Sequence, residues 1–104
     1  MTKIELCKAI EKGSVFWSAH ALKTMMERDI TREAVKHIIS TVEIIEEYPG
    51  DKPFPSALIL GFRRELPLHA VVAYDLNSQC FYVVTAYVPD EKHFEAGWKT
   101  RRIR

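Results

Sequence analysis

His69, Thr85 and Tyr87 are the side chains whose types and spacing could do proton-transfer chemistry together in this chain of 104 residues. They fall within Pro67 to Asp90, PLHAVVAYDLNSQCFYVVTAYVPD. Here two runs dense in Val, Tyr, Phe and Thr flank Asp75 to Gln79, whose Asp, Asn and Ser are turn residues, so the segment predicts an antiparallel hairpin. Side chains alternate along a strand; His69, Val71 and Ala73 then share one face, and so do Phe81, Val83, Thr85 and Tyr87. With Tyr74 and Cys80 closing the loop, His69 falls opposite Thr85 and diagonal to Tyr87. A register slip of one residue would carry His69 to the other side.

An imidazole titrates near neutral pH and so suits general acid/base work. Of the other histidines, His20 opens a helical stretch and is the second candidate, whereas His37 and His93 read as surface residues. For His69 the competing reading is a buried, hydrogen-bonded structural histidine. Several chemistries lack their residues altogether. The sequence has no Gly-rich phosphate loop, no G-x-S-x-G elbow, and no H-E-x-x-H or C-x-x-C pair. Cys7 and Cys80 stand far apart outside any metal-ligand spacing, as expected of reduced, packed thiols in a cytoplasmic protein.

The elements that must position these groups follow from periodicity and capping. Thr2 and Glu5 form a capping box before Ile4, Cys7 and Ile10, with Gly13 as the stop. Ser18 caps a second helix, with Leu22, Met25 and Met26 as its core stripe; His20, Thr24 and Glu27 run along the opposite side, with Arg28 at its edge. Thr31 begins a third, with Ala34, Val35, Ile38 and Ile39 at helical spacing. Then the period changes to two. Glu43 to Tyr48 reads as an edge strand, Pro49 to Pro55 as a loop, and Ser56 to Arg63 as a strand leading into the hairpin. Asp90 caps a short C-terminal helical turn that sets Phe94 and Trp98 four residues apart, an aromatic pair expected to dock on the sheet. The predicted fold class is α+β, a single domain over 1–104 with N-terminal helices packed on one face of a small antiparallel sheet.

Composition bounds the function. A formal net charge of +1 does not describe a generally basic nucleic-acid binder, but the charge is unevenly spread: Lys99 to Arg104 carries four positive charges and no negative one, while Glu43 to Asp51 is acidic. A basic end of this kind can engage phosphates. No apolar run approaches the ~20 residues of a membrane helix, and the opening MTKIELCKAIEKG lacks a signal-peptide pattern, so a soluble cytoplasmic protein without membrane contact is expected.

Four ordered segments carry a resemblance. SAHALKTMMERDI, EIIEEYPGDKPFPSALILGF, PLHAVVAYD and VVTAYVPDEKHFEAGWKTRR together resemble the bacterial domain-of-unknown-function 4258 family almost end to end. That family looks like a relative of the RelE-like toxin ribonucleases. The resemblance implies a RelE-like arrangement of helices on a small antiparallel sheet. It also implies the toxin of a toxin–antitoxin pair, an endoribonuclease acting on mRNA, on or off the ribosome, with a cognate antitoxin protein as partner. The matching positions are His20, Glu27, Arg28, His69, Thr85, Tyr87, Lys99, Arg101 and Arg102. Three departures stand out: Thr24 replaces a frequent Arg or Gln, Asp29 a usual Gly, and Phe94 and Trp98 are exchanged in kind.

The implied mechanism needs no metal and no cofactor. A base takes the proton of the RNA 2′-hydroxyl, cations stabilise the phosphorane oxygens, and an acid protonates the leaving 5′-oxygen. His69 is assigned as base or acid, with His20 as counterpart. Arg28, Lys99, Arg101 and Arg102 offset phosphate charge, and Tyr87 and Thr85 orient the scissile group. The alternative is a non-catalytic RNA- or protein-binding module; a metal hydrolase has less support, because Asp and Glu are scattered and no two fall at ligand spacing to a His.

Overall fold

A computed structural model describes residues 3–40, 43–63, 66–75, 77–90, 94 and 97–99. The first helix, α1 (Lys3–Glu11), stops where Gly13 takes φ +70° and the Ser14 N–H reaches back to the Ala9 carbonyl at 2.7 Å. Without a Cβ, Gly13 makes this left-handed turn at no steric cost. The cap expected at Thr2 lies outside the described residues. A three-residue strand, β1 (Val15–Trp17), comes next.

Ser18 then caps α2 (Ala19–Glu27), its side chain accepting from the Ala21 N–H at 2.9 Å. The helix closes at Asp29, left-handed at φ 55°, with the Ile30 N–H on the Met25 carbonyl at 2.8 Å. Its buried side matches the expected stripe of Leu22, Met25 and Met26 only at Met25. Ala21, Thr24 and Met25 face inward, while Met26 is 82% exposed and Leu22 is exposed as well. Thr24 tolerates burial because its hydroxyl donates to the Ala21 carbonyl within the same helix, at 3.2 Å. The third helix, α3 (Arg32–Ser40), is capped by Thr31, which accepts from the Ala34 N–H at 3.0 Å, and it buries Ala34, Val35, Ile38 and Ile39.

The remaining strands are β2 (Glu43–Tyr48), β3 (Ser56–Arg63), β4 (Leu66–Asp75) and β5 (Cys80–Tyr87). They form one sheet in the order β1-β5-β4-β3-β2, antiparallel throughout except that β1 pairs parallel to β5. This corrects the expected fold class, N-terminal helices packed on a small antiparallel sheet in the RelE-like manner. The sheet is mixed and five-stranded. Its first strand lies between the first two helices, and the strands account for more of the chain than the three nine-residue helices do. A strand of three residues is too short to show a period, so nothing in Val15–Trp17 announces the parallel pairing. Of the expected C-terminal helical turn, one hydrogen bond from the Phe94 N–H to the Asp90 carbonyl, 3.1 Å, is seen; residues 91–93 lie outside the described set.

The core fills the sheet face that the helices cover. Ala70, Val72 and Tyr74 of β4 and Phe81, Val83 and Ala86 of β5 meet Ala21, Met25, Val35, Ile38 and Ile39. At Gly61 the approach is so close that a Cβ would collide with the Ile38 side chain and lie 2.9 Å from its Cα, so only glycine lets α3 sit down on β3. His69, Val71 and Ala73 of β4 point the other way, to the sheet's second face.

On β5 the alternation breaks. Val71 pairs with Thr85 but Val72 with Val83, leaving Val84 as an extra residue in a bulge. Phe81 and Val83 therefore face the helices, while Thr85 and Tyr87 face away. The expectation that all four share one face is corrected by that single unpaired residue.

A candidate active site around His69 and Tyr87

The hairpin closes on Asp75 and Cys80, one residue later on β4 than expected, and the bulge adds another shift. His69 consequently pairs directly with Tyr87, not with Thr85, which sits opposite Val71. Directly paired residues of an antiparallel ladder share a face and bring their Cβ atoms within about 5 Å. The His69 Nδ1 lies 3.3 Å from the Tyr87 hydroxyl oxygen, and the two rings meet edge to face at 5.4 Å. Thr85 is half-buried one pair further along the same face.

The other side of the imidazole is held by the C-terminal segment. The His69 Nε2 is 2.8 Å from the Trp98 main-chain carbonyl oxygen, and the Phe94 ring stands against the imidazole at 4.5 Å and 88°. Phe94 is buried at 3% exposure, and His69 has none. A carbonyl oxygen can only accept, so the Nε2 must carry a hydrogen and donate it. In the neutral ring Nδ1 is then a bare acceptor, and the Tyr87 O–H donates to it. The arrangement is thus carbonyl, imidazole and phenol in series, with the phenol as the partly exposed member.

Lys99, next after Trp98, forms an ion pair with Glu43 of β2 at 2.9 Å, both side chains about half exposed at 55% and 54%. Exposed pairs of this kind contribute little stability. This one fixes where the segment crosses the sheet edge. Lys99 was expected as an RNA contact, and here its ammonium is engaged with a carboxylate. Arg101 and Arg102 lie outside the described residues, and so does His93.

His20 and Arg28 do not join this cluster. Both belong to α2 or its cap, which packs on β5 from the helix-covered side, whereas His69 projects from the second face. His20 is exposed at the start of that helix. The Arg28 Nη1 donates to the Ala86 carbonyl at 3.0 Å, a contact with a structural explanation. β1 accompanies β5 only as far as Val83, and beyond it the edge carbonyls need donors. Ser18 supplies them to Val83 from its N–H at 3.2 Å and to Val84 from its hydroxyl at 3.3 Å, and Arg28 supplies one to Ala86. Ser18 and Arg28, at the two ends of α2, thus stand in for the missing stretch of strand.

The sequence marks Phe94 and Trp98 as a docking pair but gives no partner for them, and the structure sets both against the candidate histidine. Their four-residue spacing was the available signal; a main-chain carbonyl, which every residue carries, leaves none. Among the described residues, no group of three His, Cys, Asp or Glu side chains gathers as a metal site would, and no helix is long and apolar enough to cross a membrane. Neither Cys7 nor Cys80 is in a disulfide, and both are half-buried.

A family model described as Domain of unknown function (DUF4258) matches residues 17–88, a span that begins at the last residue of β1, holds α2, α3, β2 to β5, His69 and Tyr87, and ends before Phe94 and Trp98. Comparison with curated proteins and with solved structures returns no match.

Proposed function

The chain belongs to the family described as Domain of unknown function (DUF4258), and on that premise we propose that it is the toxin of a bacterial toxin–antitoxin pair, kin to the RelE-like toxin ribonucleases. It cleaves mRNA in the cytoplasm, on or off the ribosome, by acid/base catalysis without a metal, and a cognate antitoxin protein silences it. The observation that carries this reading is the direct His69–Tyr87 hydrogen bond on the sheet face the helices leave uncovered. An imidazole and a phenol in contact make a proton-transfer pair, and transfer of this kind contributes typically ~10² to 10⁴ in rate. Thr85, one pair away, orients the scissile group; Arg101 and Arg102 supply the positive charge that a phosphate requires, and Lys99 is left to its ion pair with Glu43. His20 and Arg28 are left out of this machinery, since they serve the helix side of the sheet.

One observation favours the alternative, a non-catalytic RNA- or protein-binding module: His69 has no exposed surface, so it cannot itself touch an RNA. The test is induction of the protein alone in bacteria. Growth should slow and cellular mRNA shorten, and His69→Ala should abolish both while circular dichroism still reports a folded protein. If folded His69→Ala remains as toxic as wild type, or wild-type protein binds RNA with ribosomes present and leaves it intact, the binding-module reading replaces this one.

A further inference from the structure

We infer that Tyr87 is the catalytic group that meets the substrate, with His69 as a buried relay base behind it, and that the Trp98 main-chain carbonyl is the positioning group that makes the relay work. The substrate named below rests on the ribonuclease reading; the relay itself does not. Burial assigns the roles. His69 has no exposed surface and Tyr87 retains some, so a molecule arriving at this face encounters the phenol first.

Hydrogen-bond chemistry then fixes the direction of transfer. The Trp98 carbonyl at 2.8 Å demands a hydrogen on Nε2, leaving the Nδ1 lone pair directed at the Tyr87 hydroxyl 3.3 Å away. Turning the ring by half a rotation would set carbon atoms against both partners and lose both bonds. Phe94, edge-on at 4.5 Å, opposes that rotation, and the Lys99–Glu43 ion pair at 2.9 Å fastens the segment that bears the carbonyl. This is the logic of an orienting acceptor, a histidine and a hydroxyl, as in hydrolase triads, with a peptide carbonyl as the acceptor and a phenol as the hydroxyl.

With RNA in place, the 2′-hydroxyl proton passes to the Tyr87 oxygen as the Tyr87 proton passes to the His69 Nδ1. The 2′-oxygen bonds to phosphorus, the bond from phosphorus to the 5′-oxygen breaks, and the 5′-oxygen takes a proton from water. His69 then returns its extra proton through Tyr87 to the hydroxide left behind. The products are a 2′,3′-cyclic phosphate and a 5′-hydroxyl end.

Two readouts on the full-length protein test this. In ¹⁵N-histidine NMR, His69 should show a protonated Nε2 and an unprotonated, hydrogen-bonded Nδ1. In Phe94→Ala the signature should shift toward a tautomer mixture, with kcat on RNA falling about tenfold and KM little changed; in Glu43→Gln, where the lost ion pair is exposed, the same changes should be about two- to threefold. Tyr87→Phe should keep the tautomer and lose cleavage by about 10² to 10⁴. Independently of RNA, N-acetylimidazole should acetylate Tyr87 faster than the half-buried Tyr82, and His69→Phe should erase the difference. A hydrogen on Nδ1 in place of Nε2, wild-type cleavage by Tyr87→Phe, or equal acetylation of Tyr87 and Tyr82 would each overturn the relay. A rise in activity in Glu43→Gln would overturn the positioning role and make the C-terminal segment a cover over the site. Should wild type leave RNA intact while the tautomer and acetylation results hold, the ribonuclease reading falls and the relay stands.

Discussion

The two faces of the sheet are filled by different physics. On the helix-covered face, Val35, Ile38, Ile39, Ile59, Val72 and Val83 are fully buried and wholly aliphatic; any group of the right volume would satisfy them, because the stabilisation there scales with apolar area removed from water. On the second face Leu58 and Leu60 are equally buried, yet beside them lies a histidine with both ring nitrogens engaged. Further along that face, Phe16, Tyr82 and Phe54 form a row of rings 5.7 Å apart. Burial of an aliphatic side chain asks only for volume. Burial of an imidazole asks for specific partners at specific places, so the second face is where the chain is constrained beyond what folding requires.

The sharpest way to break that contrast is to damage each face once and compare. Ile38→Ala should cost the most, about 2 to 5 kcal/mol in urea unfolding, since the side chain is lodged between α3 and Gly61 and leaves a cavity that the backbone cannot close. His69→Leu should cost less, about 1 to 3 kcal/mol, through the stranded Trp98 carbonyl, because the apolar volume is largely kept. If His69→Leu proves as stable as wild type, the partners of the imidazole find water in its absence, and the second face is less enclosed than drawn. Smallest of all should be Met26→Gln. At 82% exposure the side chain contributes nothing to the core, so the change should stay within about 0.5 kcal/mol. A loss near 2 kcal/mol would show that the helix-covered face extends to Met26 after all.

That last variant also marks where the sequence stopped being informative. The apolar spacing in α3 has a single solution, and Ala34, Val35, Ile38 and Ile39 are all buried. In α2 two stripes compete, one through Leu22, Met25 and Met26 and one through Ala21, Thr24 and Met25, and counting apolar residues selects the first, which is right only at Met25. The inner stripe wins because α2 is moored at both ends, by Ser18 and Arg28, to carbonyls of β5, and those contacts are long-range. The strand pair bearing His69 and Tyr87 could be read from β-branched and aromatic composition, but the partner of His69 could not. Its identity depends on where the hairpin closes and on the bulge at Val84, neither of which leaves a mark in local propensity. The mixed sheet escaped for the same kind of reason, resting on three residues of β1. The Trp98 carbonyl was invisible in principle, since no side chain announces it.

The unpaired Val84 gives β5 a grammar of odd and even. Before it the odd-numbered Phe81 and Val83 face the helices, and after it the even-numbered Ala86 does. The extra residue is one letter of slack: its loss would leave Val83, Thr85, Ala86 and Tyr87 alternating without a break, each still opposite its present partner on β4. A deletion of Val84 should therefore be inherited almost as readily as a point substitution of this 39% exposed residue. In this one stretch the spelling can lose a letter and keep its meaning.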